Sequence, residues 1–292
     1  MIVVTAPTGA IGRQVLDRLL SAGRTVRVIA RDPSRLPGGT RERAEVVPGS
    51  HGDPAVVDRA FEGADAVFWL VPPDPRAADP DDAYSGFSRP ACDALVRHGV
   101  GHVVGISALG RGFAGRAGLV TASLAMDDLM AGTGVPHRAL TMPAFMENML
   151  THAGSIRERG VFSSPVAPGL ALPVVATRDI AAVAVRWLLD RSWRGRADVP
   201  VLGPEDLSFD AVARITAEVA GVPVRYEQVP AGEFAAAMAG AGMSEAMARG
   251  TAEMLSAKNE GLDTLEPRTA RSATPTSYRT WCEEVLKPVL LA

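Results

Sequence analysis

Thiols and amines are scarce in this chain. Of its 292 residues, only Cys92 and Cys282 are cysteines and only Lys258 and Lys287 are lysines. Two cysteines in apolar helical patterns exclude a disulfide framework or a zinc site of the usual kind, and read as small buried hydrophobes. Excess positive charge is missing as well. A net charge of −3 and a pI near 6.0 leave no overall basic surface, so no nucleic-acid partner is expected. Long unbroken apolar runs are absent too. The uncharged stretch from Val161 to Thr177 is interrupted by Pro165, Pro168 and Pro173, which excludes a membrane span. Met1-Ile2-Val3-Val4 reads as a strand and not as a secretory leader, and a cytoplasmic protein is expected.

What remains is ample material for a core, 47% of the chain being apolar. The length suits one nucleotide-binding-sized α/β domain with a smaller lobe. Ile2 to Thr5 is a short apolar run followed by a glycine-containing turn. Ile11, Val15 and Leu19 then recur every four residues, with Arg13, Asp17 and Arg18 on the other faces of an amphipathic helix. Thr25 to Ala30 and Glu45 to Val47 read as strands, and Asp53-Pro54 as a helix start with Asp as N-cap. Strands over 66–71, 103–106 and 138–141 alternate with helices over 91–97 and 119–130. Strands that are apolar throughout imply a parallel sheet covered on both faces, hence a doubly wound α/β fold of Rossmann type.

The pattern changes near residue 150. Helices over 179–190 and 208–220, short strands near Val201 and Val224, two Ala- and Met-rich helices and a last helix over 276–286 follow. The division expected is a Rossmann domain over 1–150 and a smaller lobe over 151–292, interleaved with the first and closing a pocket. Met238, Met243, Met247 and Met254 suit plastic core or pocket wall.

Thr5-Ala6-Pro7-Thr8-Gly9-Ala10-Ile11-Gly12 carries the strongest chemical signal. A pyrophosphate needs a tight turn, close backbone approach and free amides at a helix N-terminus. Gly9 and Gly12 meet the last two needs, while Ala6 stands where a first glycine is usual. About twenty residues further on, the second strand ends in Arg31-Asp32. An acidic residue there would accept from a ribose 2′-hydroxyl, whereas arginine pairs with a 2′-phosphate. Arg31, aided by Arg13, points to NADP(H) over NAD(H), the alternative being a solvated strand-end charge.

In order and spacing, the chain resembles the NmrA-like branch of the atypical short-chain dehydrogenase/reductases, a group of quinone reductases, azoreductase-labelled proteins and redox-sensing regulators. The residues that carry the resemblance are Thr5 to Gly12, Arg31-Asp32-Pro33, Ala64 to Phe68 before Pro72-Pro73, Ile106-Ser107 and Met142 to Asn148, followed by Ala176 to Ile180, Asn259-Glu260-Gly261 and Pro275 to Tyr278. The resemblance implies that Thr8, Gly9, Ala10 and Ile11 wrap the pyrophosphate and that Arg31 meets the 2′-phosphate. Val71 and Pro72 would then border the adenosine, and Ser107, Met142 and Phe145 the nicotinamide. Ser50, followed by His51, takes the place of an acidic residue that often contacts adenine. Phe145 and Asn148 would face a small-molecule substrate, with Tyr84 and Phe87 opposite.

The informative departure is a missing pair. Short-chain dehydrogenases use Tyr-x-x-x-Lys, the tyrosine as acid and the lysine lowering its pKa. Four residues beyond Tyr84, Tyr226 and Tyr278 stand Ser88, Pro230 and Cys282. The lysine that some relatives keep before the strand at Arg138 is replaced by Ser123, and both actual lysines lie near the C-terminus. Ser107 is a serine without its tyrosine, and His152 is the histidine retained as a proton donor. His98, His102 and His137 suit capping or solvated roles. Asp127-Asp128 reads as surface helix, and Asn259-Glu260-Gly261 as a helix end capped by Gly261. No metal cluster can be drawn.

Reduction of an unactivated ketone loses ground without an acid, whereas a quinone-like acceptor gives an anion that water can protonate. An NADPH-dependent oxidoreductase leads. A catalytically silent NADP(H) sensor and an isomerase or epimerase follow as alternatives, with a monomer or homodimer expected.

Overall fold

The computed structural model describes all of residues 1–292. Its centre is a seven-stranded parallel sheet. The strands are β1 (Ile2–Val4), β2 (Val26–Ala30), β3 (Glu45–Pro48), β4 (Ala66–Trp69), β5 (His102–Ala108), β6 (His137–Met142) and, much later, β10 (Arg196–Pro200). Their order is β10-β6-β5-β4-β1-β2-β3, the doubly wound arrangement. Side chains alternate across the pleat. Ile2 and Val4 enter one core with Val28, Phe68 and Leu140, while Val3 enters the other with Val67, Trp69 and Val103.

Two helices cover the first face. In α1 (Ala10–Ser21), Ile11, Val15, Leu16, Leu19 and Leu20 are buried, and α7 (Thr177–Leu189) adds Ile180, Ala181, Ala184 and Leu188. Burying each of these valine, leucine and isoleucine side chains is worth about 1.5–3 kcal/mol, which is ample to dock both helices. The other face carries α3 (Pro54–Phe61), α4 (Phe87–Arg97) and α5 (Leu119–Gly132) through Phe61, Leu95, Met126 and Met130. A short α2 (Gly38–Arg43) precedes β3. Asp53 caps α3 by accepting from the Ala55 and Val56 amides, with Pro54 at the first position.

Helix α4 starts earlier than its apolar spacing indicates. Pro90 falls inside it, and a wide π-turn over Asp82–Gly86 leads into it. Helix α7 and strand β10, though beyond residue 150, belong to the central body. The first packs on α1, and the second pairs in parallel with β6 from Arg196–His137 to Pro200–Thr141.

The remaining segments form the smaller lobe. β7 (Ala144–Phe145), β9 (Leu172–Val175) and β11 (Asp206–Leu207) make one small sheet, and β8 (Val161–Ser164) pairs with β12 (Arg225–Gln228). Around them lie α6 (Ala153–Arg159), α8 (Phe209–Ala220), α11 (Tyr278–Trp281) and α12 (Lys287–Leu291), sharing a core of Met149, Ile156, Phe162, Val212, Trp281 and Leu286. Helices α9 (Ala231–Gly240) and α10 (Glu245–Lys258) pack on each other, and α10 reaches across to α5. The crossing is tight: a Cβ on Gly118 would lie 2.0 Å from the Gly250 carbonyl oxygen. The motifs around Thr177 and Thr276 join lobe to body, since Asp179 accepts from both the amide and the hydroxyl of Thr276. No helix is long and apolar enough to cross a membrane.

Candidate active site

The strand order reverses between β1 and β4, which leaves a crevice beyond their carboxyl ends. Buried Thr5 holds that point closed: its hydroxyl accepts from the Leu70 amide and lies within bonding reach of the Phe68 and Leu70 carbonyls. The chain then turns through Ala6 at φ +48°, the only non-glycine residue in the left-handed region. Gly12 explains why that turn can press against α1, because a Cβ there would sit 2.2 Å from the Ala6 carbonyl oxygen. The amides of the first turn of α1 have no partner inside the helix and open on the crevice.

From this turn runs a cleft of about 770 Å³. Ala6, Thr8, Gly9, Ala10 and Ile11 line its start, and Arg31, Val71 and Pro72 line one flank. Asp32 lines the cleft beside Arg31. Its carboxylate accepts from the amide and hydroxyl of Ser34, and those bonds hold it below the usual carboxylate range. The second arginine on the wall is Arg35, not Arg13.

The flank where an adenine contact was expected is built differently. Ser50 lies off the wall, where its hydroxyl accepts from the Gly52 amide. His51 takes its place, with Nε2 against the Leu70 carbonyl at 3.0 Å and its ring edge-on to Trp69 and Phe87. Burial pushes its pKa down to about 4, so it is a neutral donor to that carbonyl. Phe87 stands behind His51, filling the space that a side chain at Gly52 would need.

The far half of the cleft is lined by Ser107, Ser123, Met142, Phe145, Asn148, Tyr84, Leu119 and Met254. Tyr84 comes from the wide turn before α4, and burial pushes its phenol up to about 12, which keeps it protonated. Glu147 is tied up: it accepts from the Thr177 amide and hydroxyl and from Trp281 Nε1, anchoring α7 and α11 at the cleft wall. Ser107 donates to Asp127, which is 1% exposed. Burial, reinforced by Asp198, raises the pKa of Asp127 to about 7. Asp127 is therefore no surface residue; only Asp128 is, pairing with Arg111 and Arg196.

A second correction concerns the lysines. Lys258, at the end of α10, is brought to the wall together with Asp263, and the two form a buried ion pair. The lobe folds back over the sheet, so distance along the chain did not mean distance in space.

The family described as NAD(P)H-binding matches residues 7–191. The chain belongs to that NAD(P)H-binding family. It is 38% identical over 236 residues to a (4-alkanoyl-5-oxo-2,5-dihydrofuran-3-yl)methyl phosphate reductase of Streptomyces griseus, covering 78% of this chain and 77% of that one. It is 29% identical to an NAD(P)H azoreductase of Xenophilus azovorans, over 85% of this chain and 84% of the other. In fold it matches a quinone oxidoreductase of Escherichia coli solved with NADPH, at TM-score 0.78 and 20% identity, over 98% of this chain and all of that one. These matches agree with the NmrA-like resemblance and identify the protein as an NAD(P)H-dependent oxidoreductase. The residues fit such a cofactor on structural grounds: a turn packed directly onto α1 at Gly12, unpaired first-turn amides, and two arginines on the wall.

Four residues expected at the site lie off the wall of this cleft: Gly12, Ser50, Phe87 and His152. Phe87 stands behind it, against His51. His152 packs against Phe162 in the lobe core, 5.8 Å between ring centres, and burial lowers its pKa. His137 is not solvated but 1% exposed, with neither ring nitrogen bonded. The C-cap expected at Gly261 falls earlier: α10 ends at Lys258 with Asn259 as its cap, and Gly261 at φ +94° opens the turn that carries Asp263. Asp127 did leave a sequence signal, since Val120, Ser123, Asp127 and Met130 share one buried helical stripe. Lys258 left none.

Proposed function

We propose that this oxidoreductase uses NADPH to reduce a small, conjugated, uncharged acceptor, a quinone or an acyl-substituted unsaturated lactone. The observation that carries this is one continuous cleft with two unlike ends. One end has free amides, Arg31 and Arg35, with Asp32 beside them. The other is mostly apolar, its polar groups being Ser107, Ser123, Tyr84, Asn148, the bonded pair Glu147 and Thr177, and the Lys258–Asp263 pair. Thr8 to Ile11 would hold the pyrophosphate and Arg31 the 2′-phosphate, with Val71 and Pro72 along the adenosine. Ser107, Met142 and Phe145 would border the nicotinamide, which when bound supplies a hydride. Phe145, Asn148 and Tyr84 would position the acceptor.

The relatives favour catalysis over a silent sensor, since three are named as reductases or oxidoreductases. The Streptomyces enzyme acts on a phosphorylated lactone, but the acceptor end here offers a phosphate only Lys258, which Asp263 neutralises. That balance supports a neutral acceptor.

The test is NADPH oxidation with a quinone, an alkanoyl butenolide and the phosphate ester of that butenolide, in wild type and Arg31→Glu. The two neutral acceptors are expected to speed oxidation, with the phosphate no better. Arg31→Glu is expected to weaken NADPH about 10- to 100-fold and NADH little, the loss of one or two charge-assisted bonds. No turnover with any acceptor overturns the reductase reading, and equal losses for both cofactors overturn the role of Arg31.

A further inference from the structure

We infer that Ser107 and Asp127 form a proton relay opening on the acceptor half of the cleft, filling the role left vacant by the missing tyrosine and lysine. The inference rests on the reductase reading above. Ser107 is the hinge of the arrangement: β5 presents it on the cleft wall, and its hydroxyl meets Asp127 on the side away from the cleft. Asp127 has no ion-pair partner, unlike Asp263, which has Lys258, and it has one hydrogen bond, unlike Asp179, which takes two from Thr276.

The charges around Asp127 are committed elsewhere. Arg111, after β5, pairs with Asp128 and Asp198, while Arg196 on β10 pairs with Asp128 and lies 3.9 Å from Asp198. Asp198 adds like charge, and His137 on β6 is held neutral by burial down to about 4. An unpaired buried carboxyl in such surroundings keeps its proton near neutrality, in line with its pKa of about 7.

Once Asp127 is protonated the bond to Ser107 reverses: the carboxyl donates to Ser107 Oγ and the serine hydroxyl is released toward the cleft. When the reduced acceptor carries an oxyanion, that oxygen takes the Ser107 proton as the Asp127 O–H bond breaks and its proton moves to Ser107. The negative charge passes from product to Asp127, and a solvent proton restores the acid after release. Ser107 touches the acceptor; Asp127 acts through it.

Infrared difference titration reads the carboxyl directly, without turnover. Wild type is expected to show a protonated carboxyl band that titrates near neutral pH. Asp127→Asn should lack the band, and Ser107→Ala should move it to higher pH because the hydroxyl no longer stabilises the carboxylate. The quinone reductase rate should fall as pH rises through that titration, and drop about 100-fold to a flat profile in either variant. Stability supplies a third readout. A carboxyl raised above its unfolded value stabilises fully below about pH 4 and loses that contribution as pH rises through about 7, a slope that Asp127→Asn removes. If the asparagine variant fails to fold, Ser107→Ala carries the test. Absence of a neutral-range band, or an active wild type whose pH profile survives both substitutions, overturns the relay alone. A wild type silent toward every acceptor overturns the reductase reading and this role with it.

Discussion

The two ends of the cleft are built by different means. The end around α1 is made from consecutive residues, Thr5 to Gly12, and acts through backbone: a left-handed turn, a missing Cβ and unpaired amides. The end around Ser107 draws on β5, α5, β7 and α10 and acts through side chains whose properties come from burial. Local backbone geometry is set largely by the segment's own residues. A buried carboxyl or ion pair depends on what the rest of the chain places around it.

The sharpest way to break this contrast is Gly12→Ala. Its methyl would fall 2.2 Å from the Ala6 carbonyl oxygen and 2.8 Å from the carbonyl carbon, both backbone atoms that cannot rotate aside. Either α1 or the turn must move, at a cost of about 3 kcal/mol, and the amides move with it. Calorimetric titration is expected to show NADPH affinity reduced more than about 100-fold, with a lowered melting temperature. An alanine variant that binds like wild type would mean that close approach is not what builds this end.

A second test addresses the opposite end. Lys258 and Asp263 are 7% and 3% exposed. Removing one charge strands the other, so Lys258→Met or Asp263→Leu alone should cost about 3–5 kcal/mol in chemical denaturation. The double variant should recover most of that loss, because two apolar groups need no partner. Additive losses would show that the residues act through packing and not as a pair.

How much was legible in advance follows the same division. The strand-turn-helix at residues 2–21 announces itself by apolar spacing and two glycines. The sheet followed from strands that are apolar throughout. Tertiary burial left other signals weak or absent. Asp127-Asp128 reads as polar surface residue by residue, and only the stripe of Val120, Ser123 and Met130 marks the first as buried while the second stays in solvent. Lys258 could be counted but not located, since its place depends on α10 crossing α5 through the contact of Gly118 with Gly250. His152 sits close in sequence to Asn148 but turns into the lobe core beside Phe162.

The smallest effect returns to the backbone end. Ala6 occupies φ +48°, a conformation that costs a residue with a Cβ about 1–2 kcal/mol. Glycine would remove that strain but restore about 0.4–1 kcal/mol of unfolded-chain entropy. Ala6→Gly is thus expected to raise the melting temperature slightly, for a net gain of about 0.5–1 kcal/mol. NADPH affinity should stay within about twofold, because the amides keep their path. A marked loss of affinity would instead assign the Ala6 methyl a contact with the cofactor. The phosphate end would then depend on a side chain after all, and the contrast between the two ends would narrow to the single close approach at Gly12.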